Sequence, residues 1–178
     1  DGRITVYSGK VDLGTGVKTA LTQMVADELD VDFQTIQLVM GDTASTVDQG
    51  QTAGSLSISV GGQQLRRACA TARQAIATKA VARWGIAPEA VRFTGDGRVQ
   101  SSANASQSET YAALLADGIR NIEVDPKAPL KKPANHRYVG KSVPRVDIPA
   151  KVTGEFTYIH DFELPGMLHA RVLRPAAI

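Results

Sequence analysis

Apolar and polar residues alternate over residues 3–11. Ile4, Val6 and Ser8 fall on one face, and Thr5 and Tyr7 on the other, which is the period of a strand. The period then lengthens. Val17, Ala20, Leu21, Met24, Val25 and Leu29 recur at the spacing of one helix face. Asp27 and Glu28 lie off that stripe, so solvated surface is expected for both. Ile36, Leu38 and Met40 alternate with Gln37 and Val39 and predict a second strand.

A polar stretch over 42–52 reads as a loop. Leu56, Val60, Leu65, Ala68, Ala72, Ala75, Ile76 and Val81 then mark a second, alanine-rich helix as far as Trp84. Gly61 and Gly62 lie inside it. They should bend or weaken it, or let another backbone come close. Residues 91–93 and 98–100, joined through Gly95-Asp96-Gly97, predict a hairpin. Residues 106–115 read as a short helix with Ser108 as N-cap. Five prolines between 117 and 151, with Lys127, Lys131 and Lys132 among them, suggest an extended linker over the surface. Residues 152–172 look strand-like on both sides of Leu164-Pro165-Gly166-Met167, which suits a type II turn.

The expected architecture is α+β: a small mixed sheet, two helices packed on it, and a loosely held C-terminal β-hairpin. Its boundaries are 1–116 for the main domain, 117–151 for the linker and 152–178 for an incomplete last segment. The chain begins without Met, almost inside a strand, and stops at Ile178 straight after an apolar one, so we expect a fragment of a longer polypeptide.

Chemistry is sparse. With 20 basic and 18 acidic residues interspersed, the net charge of +2 carries no nucleic-acid footprint. One cysteine excludes an internal disulfide. No apolar run reaches spanning length, and the chain carries no address from which a compartment could be read. His136, His160 and His169 lack metal-ligand spacing with each other or with Cys69, so no metal ligand is assigned. Cys69 reads as a small buried residue. Asp42 and Asp48 read as solvated loop residues near the glycine turn. No catalytic residue is assigned.

The candidate chemistry lies at two glycine-bearing turns. Val11-Asp12-Leu13-Gly14-Thr15-Gly16 leads into the first helix, where unpaired N–H groups and the helix dipole favour a phosphate or another oxyanion. Thr52-Ala53-Gly54-Ser55-Leu56-Ser57 leads into the second with hydroxyls and little bulk. The first turn is not a dinucleotide fingerprint, because Thr19 stands where its third Gly or Ala should be, and it is not a Walker A loop. The plain readings beside these are a turn that only redirects the chain at the first helix and an ordinary N-cap at the second; for the whole chain they are a non-catalytic α+β module that binds a phosphorylated ligand, and an interaction domain without a ligand.

In order, Gly9-Lys10-Val11-Asp12-Leu13-Gly14-Thr15-Gly16-Val17-Lys18-Thr19, Ala26-Asp27-Glu28-Leu29, Gly41-Asp42-Thr43 and Thr52-Ala53-Gly54-Ser55-Leu56-Ser57 resemble the molybdopterin-binding large subunit of the xanthine dehydrogenase/aldehyde oxidase family. The branch that holds the isoquinoline 1-oxidoreductase beta subunit, with its bacterial aldehyde dehydrogenases, looks most similar. The tail, Val143-Pro-Arg-Val-Asp-Ile-Pro-Ala-Lys-Val-Thr-Gly154 with Met167-Leu-His-Ala-Arg-Val172, resembles the opening of the family's hammerhead domain.

The resemblance implies a molybdenum cofactor-binding fold. It assigns Leu13, Gly14, Thr15, Gly16, Thr52, Ala53, Gly54, Ser55 and Ser57 to the cofactor, a molybdopterin or its cytosine dinucleotide form. It implies an aldehyde or N-heterocycle hydroxylase as the full-length protein. The partners would be the rest of the polypeptide, an iron–sulfur small subunit and, as a further candidate, a cytochrome. The source would be bacterial. Thr15 stands where the family usually has glutamine, and the family's catalytic glutamate has no counterpart. The isolated fragment is therefore expected to lack both cofactor and turnover.

Overall fold

The computed structural model describes residues 2–116, 118 and 121–176. Positions 117, 119 and 120 of the expected linker, and the last two residues, lie outside them. The chain divides into two compact units, 1–145 and 146–178.

The first unit opens with the predicted strand–helix–strand. β1 (Ile4–Ser8), α1 (Val17–Leu29) and β2 (Ile36–Met40) follow in order. β1 and β2 are parallel, with Ile4 opposite Ile36 and Ser8 opposite Met40. Parallel strands require a crossover, and α1 supplies it. A π-helical turn (Ser57–Gly62) runs directly into α2 (Gln63–Trp84). The two glycines thus sit where the helix is widened. A Cβ at Gly62 would meet Met24 Cε at 2.7 Å, so glycine there lets α2 approach α1.

β3 (Val91–Phe93), β4 (Arg98–Ser101) and β5 (Ser108–Thr110) form a separate antiparallel sheet, followed by α3 (Tyr111–Leu115). The expected single mixed sheet is therefore two small sheets, one parallel and one antiparallel. The expected helix over 106–115 is shorter. Residues 108–110 pair with the open edge of β4, and Thr110, not Ser108, caps α3 by accepting from Ala113 N at 3.1 Å.

Leu21, Val25 and Leu29 of α1, Leu38 of β2, Leu65 and Ile76 of α2, Val99 of β4 and Leu114 of α3 make one core. Tyr111 Oη closes it by donating to the Leu29 carbonyl at 2.7 Å. Burial, with Asp30 as the next cause, pushes this phenol well above its ordinary value, so it stays a donor.

Asp27 and Glu28 are not on the surface: they are 1% and 0% exposed. α2 covers one side of α1, and residues 128–141 cover another. Asp27 accepts from the backbone N–H groups of Arg137, Tyr138 and Val139. Glu28 accepts from Arg66 Nε at 3.0 Å and Lys131 N at 2.6 Å, and pairs with Arg73 at 3.3 Å. Helical periodicity reads α1 as one-sided because it cannot anticipate a second covering by proline-rich chain.

The second unit holds α4 (Ile148–Thr153), with Lys151 Nζ bonded to Asp147 at 2.7 Å. The turn at Pro165-Gly166 forms: Gly166 has φ +77°, and Met167 N donates to Leu164 O at 3.0 Å. The expected hairpin around it does not form, because the described residues of this unit contain no strand. Leu168 and Val172 are 93% and 77% exposed, so no neighbour within the unit gives these would-be strands a face to bury.

Candidate functional site

The two glycine-bearing segments meet at one cavity of about 500 Å3. Leu13, Thr15 and Gly16 line it from the first segment, and Thr52, Ala53, Gly54, Ser55 and Ser57 from the second. Val11, Val17, Ala20 and Ile58, which the sequence reading did not assign to the site, add apolar lining. Gly14 is not a lining residue. It holds the turn, with φ +92°.

Three of the N–H groups that the sequence reading aimed outward at a ligand are taken up inside the protein. Gly14 N and Gly16 N donate to Asp12 Oδ1 at 2.9 and 3.2 Å, and Lys18 N donates to Asp12 Oδ2 at 2.9 Å. Asp12 is thus an internal anion at the positive end of the helix dipole. Arg145 Nη2 donates to Gly14 O at 3.2 Å, and a Cβ on Gly16 would lie 3.1 Å from Arg145 Nε. The φ of +78° favours glycine at 16, and Arg145 packs close against it.

The second segment is tied to the first from below. Lys10 is 1% exposed, and its ammonium donates to the carbonyls of Gly50 and Gln51 at 3.1 and 2.8 Å. Gln49 Oε1 accepts from Ser8 Oγ and Gly9 N. A Cβ on Gly9 would run into the Val47 carbonyl, and one on Gly61 would press on Lys10 Cγ at 2.8 Å. Val11 N donates to Thr52 Oγ1 at 3.0 Å, joining the two segments at the cavity. Ser55 holds φ +60°, a left-handed conformation that a non-glycine residue adopts at some cost.

Lys10 could not be found by alternation, which reads a lysine beside a turn as solvated. The glycines at 9 and 61 were the available signal, since each marks a close approach.

Asp42 and Asp48 bond within their own loop. Asp42 takes Ser45 Oγ at 2.7 Å, and Asp48 takes Gly50 N at 2.7 Å. The Ser45 hydroxyl, then the Ala44 N–H, hold the exposed Asp42 carboxyl below its ordinary value. Burial pushes the Cys69 thiol up to about 12, so it is a protonated core residue. Among the described residues, no three His, Cys, Asp or Glu side chains gather as a metal site. No helix there is long and apolar enough to cross a membrane.

The fold is thus a parallel strand–helix–strand whose two small-residue turns open on a common cavity. Residues 1–157 match the molybdopterin cofactor-binding domain, and the chain belongs to that family. It is similar to a subunit of nicotinate dehydrogenase from Pseudomonas putida, with 43% identity over 175 residues. That match covers 98% of this chain and 14% of the relative. The beta subunit of isoquinoline 1-oxidoreductase from Brevundimonas diminuta is 28% identical, over 97% of this chain and 27% of its own. The fold is similar to that of CO dehydrogenase from Oligotropha carboxidovorans, at a TM-score of 0.55 and 19% identity. That likeness covers 63% of this chain and 14% of that one. The chain therefore spans a small part of the proteins it matches. The resemblance read from the glycine turns to molybdopterin-binding subunits of the xanthine dehydrogenase family holds.

Proposed function

We propose that this chain is one side of the cofactor cradle in the large subunit of a molybdenum hydroxylase. The convergence of the 13–16 and 52–57 segments on one cavity is the observation that carries this reading. A volume of about 500 Å3 suits part of a pterin cofactor rather than a bare ion. The lining suits it too: it has four hydroxyls, from Thr15, Thr52, Ser55 and Ser57, no ionised side chain, and glycine or alanine where a large ring system needs room.

Thr52, Ala53, Gly54, Ser55 and Ser57 would hold the cofactor through hydroxyls and backbone. Because Asp12 takes the amides of Gly14, Gly16 and Lys18, the first segment would contribute the Thr15 hydroxyl, the room left by the missing side chain of Gly16 and the exposed Leu13 side chain instead. When bound, the molybdenum–pterin group supplies the two-electron redox chemistry. Thr15, shorter than the family's usual glutamine, retains a donor and an acceptor with less reach.

The full-length protein would hydroxylate an aldehyde or N-heterocycle with water as the oxygen source. Among the relatives' names, a nicotinate dehydrogenase and an isoquinoline oxidoreductase support the heterocycle, and a membrane-bound aldehyde dehydrogenase supports the aldehyde. Electrons would leave through an iron–sulfur subunit, with a cytochrome as a further acceptor. The rest of the polypeptide would complete the pocket and bring the proton-transferring base. The chain by itself would therefore be inactive. The cytosine dinucleotide form of the cofactor is part of this proposal.

The test is metal and pterin analysis of the full-length protein made in a molybdopterin-producing host. Molybdenum and pterin should co-purify, and Ala53→Trp, which fills the cavity, should remove both while leaving the fold intact. An active preparation without molybdenum would end the reading.

A further inference from the structure

We propose that residues 131–145 form a strap that positions the 13–16 turn for its ligand, fastened by Glu28, Asp27 and Gln23 and ending on the turn through Arg145. This rests on the cofactor-binding reading for what the turn holds. The contacts descend α1 as the strap ascends in number. Lys131 N donates to Glu28 at 2.6 Å. Arg137 N and Val139 N each donate to Asp27 at 2.7 Å. Gln23 Nε2 donates to the carbonyls of Tyr138 and Lys141 at 2.7 and 3.1 Å. Arg145 Nη2 then reaches Gly14 O at 3.2 Å. The strap therefore runs antiparallel along the whole of α1, from its buried carboxylates to the glycine turn at its start.

A segment that only covered the core could stop anywhere on it. This one ends on a backbone carbonyl between two left-handed glycines and lays a guanidinium across Gly16. Glycines at 14 and 16 leave the turn many conformations in the unfastened chain. Asp12 fixes the turn's amides from one side, and Arg145 fixes its carbonyl. Together they hold Thr15 and Gly16 in the shape that lines the cavity. Asp27, Gln23 and Arg145 are positioning residues, since they act through the turn. A preorganised turn should slow release of whatever it holds.

The test uses the full-length protein, purified with cofactor and also from a molybdate-starved host. In the starved protein, Gln23→Ala and Arg145→Gln should raise hydrogen exchange of the amides of 14–18 by about tenfold, while amides of 21–25 keep their protection. In the loaded protein, both variants should lose molybdenum about tenfold faster on dialysis. Arg145→Lys, which can still donate to the Gly14 carbonyl, should recover part of each effect. Unchanged exchange at 14–18 in both variants would overturn the strap's role. Faster exchange with no change in molybdenum release would overturn its link to ligand retention. Wild-type protein without molybdenum would sink the cofactor reading alone, because the exchange experiment needs no metal.

Discussion

The two ends of α1 use charge in opposite ways. At its start Asp12 accepts from three amides, with the helix dipole in its favour. At its end Asp27 and Glu28 add two negative charges where the dipole is already negative, and both are sealed from water. That arrangement persists only because Arg66, Arg73 and the backbone N–H groups of residues 131 and 137–139 converge on them. Both ends bind anions, but in each case the anion belongs to the protein. The difference is that the N-terminal end opens beside a cavity and the C-terminal end is closed. The cavity itself is lined by neutral side chains. Charge in this chain fixes the scaffold, and the site is left to shape and hydroxyls.

The largest expected effect lies at the closed end. Glu28→Gln keeps the volume and one acceptor but leaves Arg66 and Arg73 facing a neutral group. Breaking one side of a buried pair costs roughly 3–5 kcal/mol. Urea denaturation of the full-length protein should show that loss, with the far-UV spectrum of the surviving folded state unchanged. A change under about 1 kcal/mol, the range of a surface pair, would mean that the two ends are energetically alike and would break the comparison.

Periodicity located β1, α1, β2 and the 91–93/98–100 hairpin because each buries one face against the core in the ordinary way. Glycine with small hydroxyl residues located both segments of the cavity, since close approach leaves a mark in composition. What stayed hidden was long-range polar pairing. Asp27 and Glu28 look solvated until residues 131–139 arrive from more than a hundred positions away. Lys10 looks solvated until the carbonyls of Gly50 and Gln51 close over it. Three of the outward amides predicted at α1 were claimed by Asp12, a residue inside the very motif that suggested them. The final hairpin failed for the converse reason: alternation was present, but no partner surface within its unit was.

Lys10→Met should have an intermediate effect and sharpens the view of the open end. The stem still packs, but two carbonyls lose their donor. One unsatisfied buried acceptor costs roughly 1–3 kcal/mol. The loss should be smaller than for Glu28→Gln, because the 49–52 loop can admit water to those carbonyls. It should also loosen the second segment at the cavity. Faster exchange at the amides of 50–55 would register this. A loss as large as that of Glu28→Gln would show the open end to be as tightly locked as the closed one.

The smallest effect concerns Cys69, a thiol on α2 that senses the closed end. Burial is the main reason its pKa is pushed up to about 12 from 9.0, with the charge of Glu28 adding to the rise and Arg73 opposing it. The sign of the pH effect follows. Below about 9 the thiol is protonated in both folded and unfolded chains, so the stability its neutral form contributes is fully present. Between about 9 and about 12 the unfolded chain ionises first, and that stability is lost. At neutral pH, iodoacetamide should therefore label Cys69 only as fast as the core opens. Labelling should accelerate in Glu28→Gln in proportion to its loss of stability, because the folded thiol remains protonated and enclosed. Rapid labelling of the native wild-type protein at pH 7 would instead place the thiol within reach of solvent. The closed end of α1 would then not be closed.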